Sequence, residues 1–182
     1  MLSDVCRARL LEIARLSIEE YVKNRKKPKF EVPEAELREL GAAFVTLTHK
    51  GQLRGCIGYT EAFKPLYQTV SNCAISSATG DPRFPPVTAG ELDEIEIEIS
   101  VLSPLKKVEN VNEIEVGRHG LMIEKGFRKG LLLPQVATEY GWDRDTFLAH
   151  TCLKAGLPPD AWQKGATIYL FSAEIFGERE HG

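Results

Sequence analysis

A guanidinium and a thiol stand two residues apart, between glycines, in Leu53-Arg54-Gly55-Cys56-Ile57-Gly58. Read as a strand, this stretch puts Arg54, Cys56 and Gly58 on one face and Leu53 and Ile57 on the other, because strand side chains alternate. Glycine keeps such a face open to close approach. Two kinds of chemistry are on offer. Cys56 is the candidate nucleophile or redox thiol; Arg54 favours its thiolate, and strand burial opposes it. Arg54 is the candidate anion receptor, with Gly55 and Gly58 as binding positions where backbone meets ligand. The plainer alternative is that Cys56 is a small apolar residue in a narrow slot.

A second arginine sits in Asp81-Pro82-Arg83-Phe84-Pro85-Pro86. Three prolines stiffen that loop, so Arg83 can fork onto a carboxylate or phosphate at little entropic cost. Arg54 and Arg83 together make a candidate anion site, helped by Gln135 at the helix start that Pro134 marks. The competing expectation is that both arginines neutralise Glu94, Glu96 and Glu98. His119, between Arg118 and Gly120, is a candidate base or hydrogen-bond donor in the same cleft, or a structural histidine. His49 joins it only if the fold brings it near Cys56. Cys6, Cys73 and Cys152 lie on apolar helix faces and read as core; His150 and Lys154 read as a solvated polar face.

No metal or cofactor is expected. Alternate strand carboxylates lie roughly 6.5–7 Å apart, too far for Glu94, Glu96 and Glu98 to chelate an ion in neighbouring pairs. No Walker loop or dinucleotide-binding glycine pattern is present. The four cysteines form no CxxC pair, which argues against a zinc knuckle or disulfide framework and for a reducing cytoplasm. No apolar run approaches the roughly 20 residues that span a membrane, and Arg7, Arg9, Glu12 and Arg15 interrupt any signal-peptide centre.

The elements that must position these residues follow from periodicity. Residues 3–26 read as an amphipathic helix capped by Ser3, with Cys6, Leu10, Ile13, Ser17 and Tyr21 inward. A helical turn spans 33–40. Residues 42–48 and 52–59 form a hairpin, and a helix runs from Pro65 to near Gly80. Glu94 to Leu102 alternates as a strand, with Ile95, Ile97, Ile99 and Val101 inward and Glu94, Glu96, Glu98 and Ser100 outward. A second hairpin pairs 121–124 with 130–133 around a charged loop. Helices follow from Pro134 and after the Asp143 cap, and residues 167–176 close the chain as a strand. Helices mixed irregularly with strands imply an α+β class with a mostly antiparallel sheet and flanking helices.

With 182 residues and 43% hydrophobic content, the chain reads as one globular domain over 1–182. A smaller subdomain falls within about 104–165. The formal net charge of -3 argues against a general nucleic-acid binder. The basic stretch Lys23, Arg25, Lys26, Lys27 and Lys29 leaves room for a local basic patch.

Taken in order, the glycine–cysteine hexapeptide, Asp81 to Pro86, Gly117-x-His119-Gly120-Leu121, Leu133-Pro134-Gln135-Val136-Ala137 and Cys152-x-Lys154-Ala155-Gly156-Leu157 resemble the AMMECR family, the A component of the AmmeMemoRadiSam system. The resemblance covers almost the whole chain. It implies a larger subdomain with an antiparallel sheet and flanking helices, and a smaller one with a short sheet. It also implies Memo-like and radical-SAM proteins as partners, but supplies no catalytic residue set. The functional expectation is therefore a cytoplasmic binding or accessory module whose cleft accepts an anionic small molecule or nucleotide. The alternative is a small enzyme using Cys56 on an anionic substrate.

Overall fold

Ser3 accepts a hydrogen bond from the Cys6 amide and starts helix α1, Asp4–Asn24, which Arg25 ends in the left-handed conformation. The computed structural model describes residues 1–181, with side chains through 179. These form two units: residues 1–101 with the chain from 174 onward, and residues 102–173.

In the first unit, α1 buries Cys6, Leu10, Leu11, Ile13, Ala14, Ser17 and Ile18. Tyr21, expected inward, is half-buried. After the short helix α2 (Ala35–Arg38) come strands β1 (Ala42–His49) and β2 (Gln52–Tyr59), an antiparallel hairpin turning at Lys50 and Gly51. Helix α3 (Leu66–Thr79) follows. Its Ser71 hydroxyl meets the Ser17 hydroxyl of α1 at 2.7 Å, a satisfied buried polar pair where the two helices pack. Strand β3 (Ile95–Leu102) buries Ile95, Ile97 and Ile99. Ser100, expected outward, is also buried, and Val101 is only half-buried. Both faces of the strand are covered from Ile99 on, so alternation stops reporting burial there. The sheet order of this unit is β2-β1-β3, with β7 (Thr167–Gly177) beyond β3. Its core gathers Leu10, Ile18, Val45, Leu47, Val70 and Phe176.

The second unit pairs β5 (His119–Lys125) with β6 (Arg128–Leu132) across a tight turn at Gly126-Phe127, shorter than the charged loop expected. The 167–173 part of β7 lies antiparallel to β5, and the two-residue strand β4 (Lys106–Lys107) pairs with the other side of β7. Helices α4 (Pro134–Tyr140) and α5 (Arg144–Lys154) complete it; Asp143 caps α5 through the Thr146 amide. Phe147, Leu148 and Cys152 of α5 pack with Leu121 and Ile123 in this unit's own core. Helices beside an antiparallel sheet make the protein α+β, as its sequence pattern indicated.

Candidate functional site

The hexapeptide occupies β2, the end strand of its sheet. Leu47 faces Gly55 while Thr48 faces Leu53, so Arg54 is an extra residue on β2. A bulge of this kind breaks alternation and re-aims a side chain. The expected regular alternation from Leu53 to Gly58 is corrected accordingly: Leu53, assigned to a packed face, is exposed.

The bulged Arg54 is spent within the protein. Its Nε and Nη2 donate to the two carboxylate oxygens of Glu91 at 3.0 and 3.2 Å. Nη1 donates to the Pro85 carbonyl at 2.7 Å and Nη2 to the Pro86 carbonyl at 3.3 Å. Glu91 also accepts from the Thr88 amide and hydroxyl, closing a capping box at the 3₁₀ turn 89–94. The Arg54 guanidinium, with smaller help from Thr88, lowers the Glu91 carboxyl to about 2. The arginine thus clamps β2 to the 85–91 segment.

Asp81 is the hub that sequence reasoning passed over. Its side chain is only 2% exposed. Oδ2 accepts from the Cys56 amide at 3.0 Å and from Arg83 Nη2 at 2.8 Å. Oδ1 accepts from the Arg83 amide at 3.0 Å and from Arg83 Nε at 3.1 Å. The Arg83 guanidinium holds this carboxyl far below the usual range; burial opposes it, and the Cys56 and Arg83 amides assist. The available signal was Asp81 two residues before Arg83 in a proline-rich loop, the pattern of an Asx-turn.

Arg83 differs from Arg54 in being half outside. Its side chain is 54% exposed and lies over the Phe84 ring, 5.4 Å from its centre. Nη2 also approaches the Cys56 carbonyl at 3.4 Å. These bonds engage Nε and Nη2 and leave Nη1 directed elsewhere. Neither arginine serves the Glu94–Glu98 strand as expected. His49 and Lys50 pair with Glu94, Arg179 pairs with Glu96, and Glu98 has its own interactions. His49 also lies 3.8 Å from Glu91, so its place is in the Arg54 clamp.

The glycines admit the protein's own atoms. A Cβ at Gly55 would lie 2.0 Å from the Ser77 carbonyl oxygen of α3, and one at Gly58 would lie 2.3 Å from the Phe44 ring. Ser77 completes the fit: its hydroxyl donates to the Val45 carbonyl and accepts from the Ile57 amide, at 2.7 and 2.9 Å. Cys56 itself is half-buried, with its Sγ 3.3 Å from the Thr46 hydroxyl. Cys6, Cys73 and Cys152 are buried, and burial pushes the Cys73 thiol up to about 12.

His119 and Gln135 belong to the second unit. Nδ1 of His119 accepts from the Glu115 amide at 3.0 Å, which places the proton of the neutral ring on Nε2. Burial, with Arg118 second, lowers its pKa, so the ring is neutral near pH 7. Gln135 stands in the first turn of α4 with Oε1 buried and lacking a hydrogen-bond partner among the described residues. His150, read as a solvated side chain, stacks on Trp142 with ring centres 3.9 Å apart.

Among the described residues, no group of three His, Cys, Asp or Glu is arranged to hold a metal ion. No helix among them is long and apolar enough to cross a membrane. Around the Asp81 carboxylate the first unit brings together the backbone of the half-buried Cys56 and the half-exposed Arg83 side chain.

Residues 11–176 match the AMMECR1 family. A protein of Methanocaldococcus jannaschii is 51% identical over 176 residues, covering 92% of this chain and 87% of that protein. One of Methanothermobacter thermautotrophicus is 49% identical over 178 residues, covering 93% and 92%. The crystal structure of an uncharacterised protein of Pyrococcus horikoshii superposes with a TM-score of 0.88 at 45% identity, covering 97% of this chain and 93% of that one.

Proposed function

The chain belongs to the AMMECR1 family, and on that premise we propose that it is a cytoplasmic binding or accessory module that accepts an anionic group beside Cys56 and acts with Memo-like and radical-SAM proteins. The observation that carries the reading is Arg83. Its side chain is 54% exposed, and the orientation of its guanidinium is fixed by two bonds to a buried carboxylate. Asp81 takes the Nε–Nη2 edge, so a carboxylate or phosphate meets Nη1, whose direction those two bonds fix without a further ordering cost. Arg54 is engaged by Glu91 and by the Pro85 and Pro86 carbonyls and has no part in this reading.

Displacement of a fluorescent anion by phosphate or by a carboxylated peptide tests this. Arg83→Gln removes the displacement signal; it also leaves the buried Asp81 carboxylate without its cation and lowers the melting temperature, so binding is read at a temperature where circular dichroism shows the variant folded. Unchanged anion binding in Arg83→Gln would sink the proposal.

A second reading rests on Cys56 being half-buried where the other three thiols are buried. In that reading Cys56 is a nucleophile or redox thiol and the bound anion is its substrate. Cys56→Ser separates the two: a binding module keeps partner and anion binding, whereas an enzyme loses turnover with binding retained.

A further inference from the structure

The basic stretch after α1 finds its place in a groove on the first unit. Beyond the Arg25 cap the chain runs irregularly through Lys27, Pro28, Lys29 and Phe30. Arg9 fixes this run: its Nη2 donates to the Glu31 carbonyl at 3.0 Å, and its guanidinium lies over the Phe30 ring. Val32 then anchors it against the core. Opposite stands the first half of α3, with Lys64 just before it. Between them lies a groove of about 490 Å³, lined by Lys27, Lys29, Lys64, Phe30, Tyr67 and Asn72 among others, with no carboxylate in its wall.

Three features of this groove point to one ligand chemistry. Three lysines converge in a molecule whose formal net charge is -3, so positive potential is focused here against the overall sign. Helix α3 begins at the same wall, but its first amide, Leu66, donates to the Glu39 carbonyl at 2.8 Å, so the lysines carry the positive charge of the groove. Phe30 and Tyr67 add aromatic surface, while Gln68, Ser71 and Asn72 supply polar groups. The volume falls within the roughly 300–1,000 Å³ of small-ligand sites. Lysines alone would suit any polyanion; aromatic walls beside them select one that carries a planar ring.

We infer that this groove binds a nucleoside di- or triphosphate, its phosphates among Lys27, Lys29 and Lys64 and its base against the Phe30–Tyr67 side. The site is separate from the Arg83 site and does not depend on it.

Calorimetric titration with ADP, pyrophosphate and adenosine tests the assignment. ADP binds more tightly than pyrophosphate or adenosine. The triple variant Lys27→Gln, Lys29→Gln, Lys64→Gln weakens ADP by at least about tenfold, as loss of charge-assisted phosphate contacts requires. These three side chains are exposed, so the variant keeps the native circular dichroism spectrum. Tyr67→Leu weakens ADP and leaves pyrophosphate unchanged. The titrations are run in the Arg83→Gln variant, so that binding at the anion site proposed above does not contribute; absence of ADP binding in that variant overturns the groove and leaves the Arg83 reading standing. Equal affinity for ADP and pyrophosphate overturns the proposal, as does an unaffected triple variant. A single-stranded RNA that displaces ADP with affinity rising with its length also overturns it, by assigning the groove to a polymer.

Discussion

Arg54 stands on the bulge of β2, where its bonds to Glu91 and to two proline carbonyls decide what its charge can do. A guanidinium two residues from a thiol reads as an activating cation, yet the bulge carries it to Glu91 and the Pro85 and Pro86 carbonyls. Nothing in the hexapeptide encodes that bulge, because its cause is the register that Leu47 and Thr48 adopt on the neighbouring strand. The burial of Cys6, Cys73 and Cys152, by contrast, was legible, since each sits on an apolar helix stripe. Glu91 takes up the charge of Arg54, so that arginine is not free to activate Cys56, the one cysteine that is not buried. Iodoacetamide therefore labels Cys56 alone in the native protein, at a rate within several-fold of free cysteine, and Cys56→Ser abolishes the labelling. Mass spectrometry of tryptic peptides reads both results, and a rate a hundredfold higher would restore the activated-thiol reading.

At the scale of elements, the hexapeptide glycines are joints. Gly55 lets the α3 carbonyl at Ser77 press against β2, and Gly58 seats the Phe44 ring. From sequence they signalled openness to a ligand; the element that uses the opening arrives 20 residues later, too far for local pattern to show. The hairpin, the long helices and the Asp143 cap were legible because each depends on neighbours within a few residues. The clamp from β2 to the 85–91 segment carries a pH signature. The Glu91 carboxyl stands at about 2 in the fold against an ordinary 4.5. A depressed carboxyl stabilises the folded state above its unfolded pKa and loses that contribution as pH falls from about 4.5 toward 2. Glu91→Gln should therefore cost about 2 kcal/mol near neutral pH. Urea unfolding at pH 7 and at pH 2.5 checks it: the gap between wild type and variant narrows sharply at the lower pH. A gap equal at both would remove the clamp from the account.

For the whole molecule, the informative element is β7. Its first part lies between β4 and β5 in the second unit, and its end returns to the first. There Phe176 is fully buried in a core otherwise built from residues before 100. Glu174 accepts from the Leu2 amide and from Arg7, and Glu178 pairs with Arg15, so the closing residues hold the opening helix. Phe176→Ala should accordingly cost about 3–5 kcal/mol, the usual range for emptying a buried aromatic site. Chemical denaturation followed by far-ultraviolet circular dichroism measures it. A loss below about 1 kcal/mol would show that the first unit closes without its last strand.

A strand shared in this way also sets an order of events on the ribosome. β7 leaves the exit tunnel after every strand it pairs with, so neither core can be finished until it has emerged. Leu10, Ile18 and their neighbours wait for Phe176, and Leu121 and Ile123 wait for the strand that pairs with β5. The nascent chain must carry two unsealed apolar surfaces until β7 emerges, which makes it a client for holding chaperones and makes termination before β7 a route to aggregation.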